Sequence, residues 1–337
     1  MIFLGVNLAV FSGIFNGLFT APMKMIPNWK WENIWLVFIV TACLIMPAGM
    51  VLAMAPNITQ ILATSPTSAL VAAVLFGFAW GFGAILFGQS VDRLGVSLAN
   101  SLVIGLSSAM GSLVPILIKG HLEFNAQLTL LLLGIGTFIL GVIFCGMAGK
   151  RRESTSTDTG VDKGKRAQAY LFCIGAGIMS AIFNIGYTQA LPIADAGMKL
   201  GLTNFAATNC IWLLMLAAGS LPNIGFCIYL MKKNDSRPLL TGTGGGKAWL
   251  LSMIMGLLWG GSIFLYGAAT PLLGDMGPSI GWPLSLAVGL LVANLMGVLL
   301  GEWRKANPQA IRLMRYGILT ILVAIVFCAA ASKMGAT

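Results

Sequence analysis

Two asparagines lie inside strongly apolar segments of the sequence. Asn16 and Asn184 each end a string of the form Ser-Gly/Ala-Ile-Phe-Asn. An amide without a partner in hydrocarbon is energetically costly, so each asparagine should either bond a neighbouring helix or contact a solute. Both interpretations are open from the sequence alone.

Two tryptophans, Trp80 and Trp259, each precede a glycine near the middle of an apolar segment. Membrane tryptophans are usually found at the interfaces, so two at mid-depth indicate either a lined cavity or close packing beside glycines. Aromatic faces combined with uncharged hydrogen-bonding groups suit a small neutral polar solute such as a sugar. The other polar candidates for contact with it are Tyr266, Thr188, Gln189 and Thr20, with Tyr187, Asn209, Asn294 and Asn100 as weaker ones.

Charged residues are found near the ends of the apolar segments. No Asp or Glu stands in the middle of one, which is the usual place for a proton relay. The candidates for ion coupling or gating are therefore the end residues Lys24, Glu32, Asp92 and Glu302. Lys24 could equally be an anchor at the membrane interface.

Catalytic and metal-binding patterns are missing from the sequence. The six cysteines lie in apolar runs without a CxxC spacing, and His121 is the single histidine. We therefore predict no enzyme activity, no metal site and no cofactor.

The elements that must hold the polar residues are membrane-spanning helices. Of the 337 residues, 58% are hydrophobic and 9% charged, whereas about a quarter of a soluble domain is charged. Apolar runs long enough to cross a hydrocarbon core of about 30 Å recur along the chain. We predict an all-α membrane protein with spans at residues 2–22, 33–55, 68–90, 95–118, 127–147, 169–191, 203–230, 248–270, 279–300 and 314–333.

The net charge of +10 follows the predicted loops, which argues against a nucleic-acid partner. When ten spans are threaded through a membrane, every one of the 20 Lys and Arg except Lys119, Lys199 and Lys333 falls on one side. The positive-inside rule makes that side cytoplasmic. We therefore expect an inner (plasma) membrane protein, surrounded by lipid, with both termini periplasmic or extracellular.

The matching strings define an internal repeat. The two asparagine strings and the two Trp-Gly pairs recur at similar offsets, which is hard to obtain by chance. We predict a first five-helix repeat at 1–148, a flexible cytoplasmic linker at 149–168 and a second five-helix repeat at 169–337. Five is an odd number of spans, so the repeats must be inverted, and inverted repeats can open a central site to either side in turn.

Several strings of the sequence are shared with a known family. They are Ala21-Pro22-Met-Lys24, Trp29-Lys-Trp31-Glu32-Asn-Ile-Trp35, Phe76-Gly77-Phe-Ala-Trp80-Gly81, Asn223-Ile-Gly225-Phe226-Cys227 and Glu302-Trp303. In these strings the chain resembles the bacterial L-rhamnose-proton symporter family, within the drug/metabolite transporter superfamily of ten-helix inverted-repeat carriers. The resemblance implies uptake of a deoxyhexose such as L-rhamnose with a proton, and carries over Lys24, Glu32, Trp80 and Glu302 as matched positions.

We therefore predict a secondary transporter that imports a sugar or similar small neutral metabolite, coupled to a proton or to Na⁺. The alternative is an exporter of drugs or metabolites on the same fold. Ala84, Leu86 and Phe87 favour it, since they stand where the resembled family has polar residues. A sensor that binds without transporting is a further alternative, and a homodimer is a candidate assembly.

Overall fold

The computed structural model describes residues 2–94, 96–119, 125–155, 163–242, 245–274, 277–301, 303–304 and 306–334. Within these ranges the chain forms helices and contains no strand. The helices are α1 (Ile2–Leu18), α2 (Trp31–Val40), α3 (Met46–Met54), α4 (Ile58–Thr64), α5 (Thr67–Leu94), α6 (Val96–Lys119), α7 (Ala126–Thr155), α8 (Lys163–Lys199), α9 (Asn204–Lys233), α10 (Gly246–Ala269), α11 (Gly277–Leu299) and α12 (Pro308–Met334).

Prolines mark where several helices begin. Pro278 and Pro308 stand in the first turns of α11 and α12, where a missing N–H costs nothing because those groups lack helical partners anyway. Pro47 is the second residue of α3, which follows directly after a π turn at Thr41–Ile45. A proline crowds the turn before it, and the wider π turn accommodates it. Consequently α2 and α3 form one continuous apolar span, Trp31–Met54.

Nine helical segments of the described chain are long and apolar enough to cross a membrane. They are Ile2–Met25, Trp31–Met54, Thr67–Val91, Ala126–Arg152, Ala167–Lys199, Asn204–Lys233, Gly246–Leu273, Gly277–Leu299 and Pro308–Ala331. The remaining long helix, α6, carries a shorter apolar stretch, Leu98–Val114. The predicted all-helical, multi-pass architecture is confirmed, whereas the count of ten spans stays a prediction.

Some helices extend beyond the predicted spans. α7 and α8 continue into the segment predicted as a flexible linker, so that residues 149–155 and 163–168 are helical. Apolarity reports only the part of a helix inside hydrocarbon, and charged side chains at its end reach water without interrupting the backbone. The short helix α4 occupies a segment where no element was predicted.

The long helices pack in a reciprocal pattern. α5 packs against α8 and α9, and α10 packs against α1 and α2. α1 also packs against α11, α8 packs against α6, and α7 lies along α12. Exchanging α1 with α8, α2 with α9, α5 with α10, α6 with α11 and α7 with α12 leaves this set of pairs unchanged.

Several loops with basic residues lie at one end of the bundle. Lys30 donates a hydrogen bond to the backbone oxygen of Asn234 at 2.7 Å, and Met23 packs against a cluster that contains Val91 and Ala169. We call this the basic end; it carries Lys24, Lys30, Arg93, Lys232 and Lys233. The opposite end carries α4 and the turn Thr270–Leu273.

Glycines allow α5 to approach α9 very closely. A Cβ added to Gly77 would lie 2.3 Å from the backbone oxygen of Met215, and one added to Gly81 would lie 2.4 Å from that of Gly219. Real carbon atoms do not approach an oxygen so closely, so only glycine fits these positions. Small residues of this kind are the usual means of close helix packing in membranes.

A pair of glycines four residues apart is also found where α10 meets the span Trp31–Met54. A Cβ on Gly256 would lie 2.6 Å from the Cβ of Thr41, and one on Gly260 would lie 2.6 Å from the Sδ of Met46. In both helices a tryptophan directly precedes the second glycine. Close packing of the backbone therefore fixes where both indoles are placed.

We expect Gly81→Ala to lower the free energy of unfolding by about 1–3 kcal/mol, because the added methyl forces α5 and α9 apart. The matched control is Gly136→Ala in α7, where a Cβ would meet no atom within 4 Å. The control should be neutral or slightly stabilising, since alanine favours helix more than glycine does. Thermal unfolding in detergent checks this, and equal melting temperatures would contradict the close packing.

Candidate functional site

Trp80 on α5 and Trp259 on α10 stack face to face in the centre of the bundle. Their ring centroids are 5.1 Å apart and their planes differ by 13°. Phe183 on α8 lies 4.9 Å from Trp80, and Phe38 on α2 meets Trp259 edge-on at 6.0 Å. Aromatic pairs at such distances attract each other beyond their burial alone. The resulting aromatic layer joins four helices, two from each half of the chain.

A cavity borders this aromatic layer. Its volume is about 110 Å³, taken as the space open to the centres of water-sized molecules. One water needs about 10–15 Å³ by such a measure, so the cavity has room for several waters or for one small solute. Its uncharged hydrogen-bonding side chains, apart from the indoles, are Ser12, Asn16, Asn100, Ser180, Ser262, Tyr266 and Ser285.

The structure thus brings four of the predicted contact residues together, since Trp80, Trp259, Asn16 and Tyr266 all line the cavity. Within the described part of the chain, no lining residue carries a charged side chain. A buried ion would need a counter-charge, whereas a neutral solute needs only hydrogen-bond partners and apolar contact. The described residues also hold no group of three His, Cys, Asp or Glu that could bind a metal.

Two sets of serines bridge helices beside the cavity, and the sequence analysis did not select them. The Oγ atom of Ser12 on α1 lies 2.7 Å from that of Ser285 on α11 and 3.2 Å from that of Ser262 on α10. Ser107 on α6 donates to the hydroxyl of Ser180 on α8 at 2.8 Å. Ser12 and Ser180 begin the two matching strings, which is the signal that could have identified them.

The two asparagines of those strings have different surroundings. Asn184 is fully buried, donates to the backbone oxygen of Gly111 at 2.8 Å and accepts a bond from the Tyr266 hydroxyl. It joins α8 to α6 and α10, and it does not line the cavity. Asn16 is half-buried and lines the cavity, and its amide has no hydrogen-bond partner among the described residues.

Asn100 on α6 is a second amide of this kind. It is buried, it lines the cavity, and no partner for its side chain is found in the ranges that the structure describes. Together with Asn16 it supplies donors and acceptors that a bound solute could satisfy. Neither indole of the central stack donates a hydrogen bond to the described chain, so these groups also remain open to a solute.

Other predicted contact residues lie outside the cavity lining. Thr188 donates to the backbone oxygen of Asn184 in its own helix, Gln189 is exposed, and Thr20 is buried at the start of the turn after α1. The hydroxyl of Tyr187 lies 2.6 Å from that of Thr270 and so joins α8 to the turn at the opposite end of the bundle. These side chains do not converge on the central indoles.

Glu32 lies at the start of α2 and fastens the loop between α9 and α10. Its carboxylate accepts hydrogen bonds from the Ser236 hydroxyl at 2.6 Å and from the Asn234 amide at 3.0 Å. Asn33 donates to the backbone oxygen of Ser236 at 2.9 Å, and Lys30 adds its bond to Asn234. Glu32 is therefore part of a brace at the basic end and does not line the cavity.

Of the remaining coupling candidates, only Lys24 has a described side chain, and it does not line the cavity. Lys24 is exposed in the turn Ala21–Met25. Asp92 lies in the last turn of α5, with its side chain outside the described part, and Glu302 lies outside the described residues altogether. A role for these residues in coupling or gating stays a prediction.

The described chain is a bundle of apolar helices around a partly polar cavity that no described charged side chain lines, an arrangement typical of multi-pass membrane transporters. The family model described as "L-rhamnose-proton symport protein (RhaT)" matches residues 1–333. The chain belongs to this family.

Curated relatives carry the corresponding name. The L-rhamnose-proton symporter of Klebsiella pneumoniae (strain 342) is 26% identical over 316 residues, which cover 91% of each chain. The symporters of that name from Citrobacter koseri (25% over 320 residues) and Escherichia coli strain 55989 / EAEC (26% over 321 residues) also match over 91% of both chains. These relatives are transporters, in agreement with the prediction that the chain is not an enzyme.

A solved crystal structure of another protein superposes on the chain with a TM-score of 0.57. The match covers 99% of this chain and 98% of the other, at 14% sequence identity. At that identity the likeness concerns the fold alone.

We expect Glu32→Gln to lower the free energy of unfolding by about 1–3 kcal/mol, because hydrogen bonds to a charged group are stronger than those to a neutral amide. The control is Asp235→Asn in the loop that Glu32 fastens. Asp235 is exposed and has a φ of 49°, a conformation that asparagine adopts readily. Melting curves compare the two variants; unchanged stability of Glu32→Gln with lost transport would instead favour a coupling role.

Proposed function

We propose that this chain is a secondary transporter that imports a small neutral sugar, a deoxyhexose such as L-rhamnose, together with a proton. The names of its relatives support the sugar and the proton. The structural observation that carries the proposal is a pair of amides, Asn16 and Asn100, that have no hydrogen-bond partner among the described residues. They line a cavity that no described charged side chain borders, beside the stacked indoles of Trp80 and Trp259.

The cavity offers the contacts that a deoxyhexose needs. The rings of Trp80 and Trp259 supply apolar surface for the C–H face of a sugar. Asn16 and Asn100 can donate to and accept from its hydroxyls, and Ile104 supplies an apolar wall for its methyl group. Recognition of this kind rejects ions, because no described lining residue compensates a charge.

Two inverted five-helix repeats, at 1–148 and 169–337, are the architecture that we propose for transport. They are supported by the seven helix pairs named above, a set that is unchanged when the corresponding helices are exchanged. The bond of Ser12 to Ser285 has a counterpart in the bond of Ser180 to Ser107. In this arrangement α6 also crosses the membrane and brings the number of spans to ten. The cavity then opens to each side of the membrane in turn.

The orientation follows from the basic residues. We infer that the basic end faces the cytoplasm of a bacterial cell and that both termini lie on the periplasmic or outer side of the inner membrane. The segment 149–168 then joins the repeats on the cytoplasmic side. Membrane lipid surrounds the bundle, and a homodimer is a further assembly that cross-linking in the membrane would test.

An exporter of drugs or metabolites is the second candidate. The observation that favours it is the apolar contribution of Ala84 and Phe87 to the cavity lining. An exporter would confer resistance to toxic compounds when overproduced, whereas a sugar importer would not.

Uptake into proteoliposomes tests the proposed import. We expect labelled L-rhamnose to accumulate when the outside is made acidic, and to equilibrate without accumulation when no pH gradient is imposed. Accumulation driven by a sodium gradient alone would replace the proton by Na⁺ as the coupling ion. No uptake of any sugar in a panel of monosaccharides, with or without a gradient, would overturn the proposal.

A variant of Asn100 tests the site. We expect Asn100→Ala to reduce the initial uptake rate at low sugar concentration by about tenfold, the loss of roughly 1.4 kcal/mol that one or two hydrogen bonds supply. The control is Asn7→Ala, because the Asn7 amide donates only to the backbone of its own helix, at Phe3. Equal uptake by both variants and the unaltered protein would place the sugar elsewhere.

A further inference from the structure

The fully bonded Asn184 and the unpartnered Asn16 occupy equivalent places in the two matching strings. On α8, Asn184 follows Ser180 by one helical turn; on α6, Gly111 follows Ser107 by one turn. The bond of Ser107 to Ser180 is therefore succeeded, one turn nearer the opposite end, by the bond of Asn184 to the Gly111 oxygen. These two bonds hold α6 and α8 together there.

The equivalent pair of helices, α1 and α11, repeats the first bond but not the second. Ser12 bonds Ser285, and one turn nearer the basic end Asn16 and Gly289 follow. A Cβ added to Gly289 would lie 3.2 Å from the Nδ2 atom of Asn16, so the amide already lies beside this glycine. No hydrogen bond joins Asn16 to it or to any other described residue.

This difference coincides with the shape of the cavity. Beyond the central indoles the cavity continues toward the basic end, where Phe19, Trp35, Phe87 and Asn100 line it. Toward the opposite end it is closed by the bonded side chains around Asn184 and Tyr187. The bonded Asn184 thus lies beyond the side where the cavity ends, whereas Asn16, which makes no bond to the described chain, lines the side that continues.

We propose that Asn184 and Asn16 are a pair of alternating latches. In this structure Asn184 closes the opposite end by its bond to Gly111. When the bundle exchanges states, that bond breaks, and Asn16 closes the basic end by donating to the backbone oxygen of Gly289. The released amide of Asn184 then faces the solute in the place that Asn16 holds now. This proposal rests on the alternating access proposed above, and it identifies the hydrogen bonds that close each end.

Two residues near the opposite end carry buried polar groups that the exchange would expose to water. Both amide atoms of Asn209 and the indole N–H of Trp212 are buried without a hydrogen-bond partner in the described chain. Both lie on α9, in the half nearer the opposite end. On the equivalent helix α2, Trp35 lines the cavity and donates to Asn223 at 2.9 Å. Opening of the opposite end would give the α9 groups the access to water that they lack here.

Hydrogen–deuterium exchange of the purified protein, without any sugar, tests the latches. We expect Asn184→Ala to raise exchange at the opposite end, in residues 186–203 and 266–274, and to lower it at the basic end, in residues 19–35. The ratio of the state closed at the opposite end to the state closed at the basic end should fall by about fivefold, which corresponds to one neutral hydrogen bond of about 1 kcal/mol. Asn16→Ala should shift it the other way, with lower exchange at the opposite end.

Asn7→Ala on α1 is the control and should leave both ends unchanged. Faster exchange at both ends in Asn184→Ala, or no change in either variant, would overturn the latches. Since Asn16 has no bond to lose in this structure, Asn16→Ala should fold normally and keeps the test informative if Asn184→Ala is unstable. The measurement uses no sugar, so the latches can fail while L-rhamnose uptake holds, and uptake can fail while the opposed exchange pattern holds.

Discussion

Hydrocarbon offers no hydrogen-bond partner, and this constraint orders the interior of the bundle. Many polar side chains between the helices bond across helices, and others face the cavity. Asn223 on α9 is an example of the first kind, since it donates to the Gly81 oxygen on α5 at 2.9 Å and accepts from Trp35 on α2. Asn16 and Asn100 are of the second kind. A polar group that has no partner and borders an internal space therefore marks the place where a solute would supply the missing bonds.

Close approach of the helix backbones is what allows these bonds to form. Asn223 can reach the Gly81 oxygen because α5 and α9 touch at Gly81 and Gly219. The same contact seats the central stack, since a Cβ on Gly219 would lie 2.6 Å from the Trp80 ring. Packing, polar satisfaction and the aromatic layer thus depend on one feature, the absence of side chains at a few helix crossings.

The sequence predicted the helical membrane fold and the central position of Trp80, Trp259, Asn16 and Tyr266, because apolar length and internal repeats report depth along a span. They do not report which face of a helix points inward when nearly all of its residues are apolar. Thr188 and Gln189 were therefore chosen as polar side chains within an apolar segment, but neither lines the cavity. The sequence did not predict the bridging serines for a related reason. A serine hydroxyl is small and common in membrane helices, so only its distance to a partner in the structure shows that it joins two helices.

An uncharged cavity restricts how a proton could be coupled to a sugar. The relatives are named proton symporters, yet no carboxylate or imidazole is found among the described lining residues. Coupling requires only that proton and sugar favour the same conformation, and the two need not touch. Under the proposed alternating access, a group that takes up a proton at either end of the bundle can therefore shift the equilibrium between the state closed at one end and the state closed at the other. In the exchange proposed above, the bond of Asn184 breaks and that of Asn16 forms whichever ligand drives the change, so proton and sugar would act on the same two contacts.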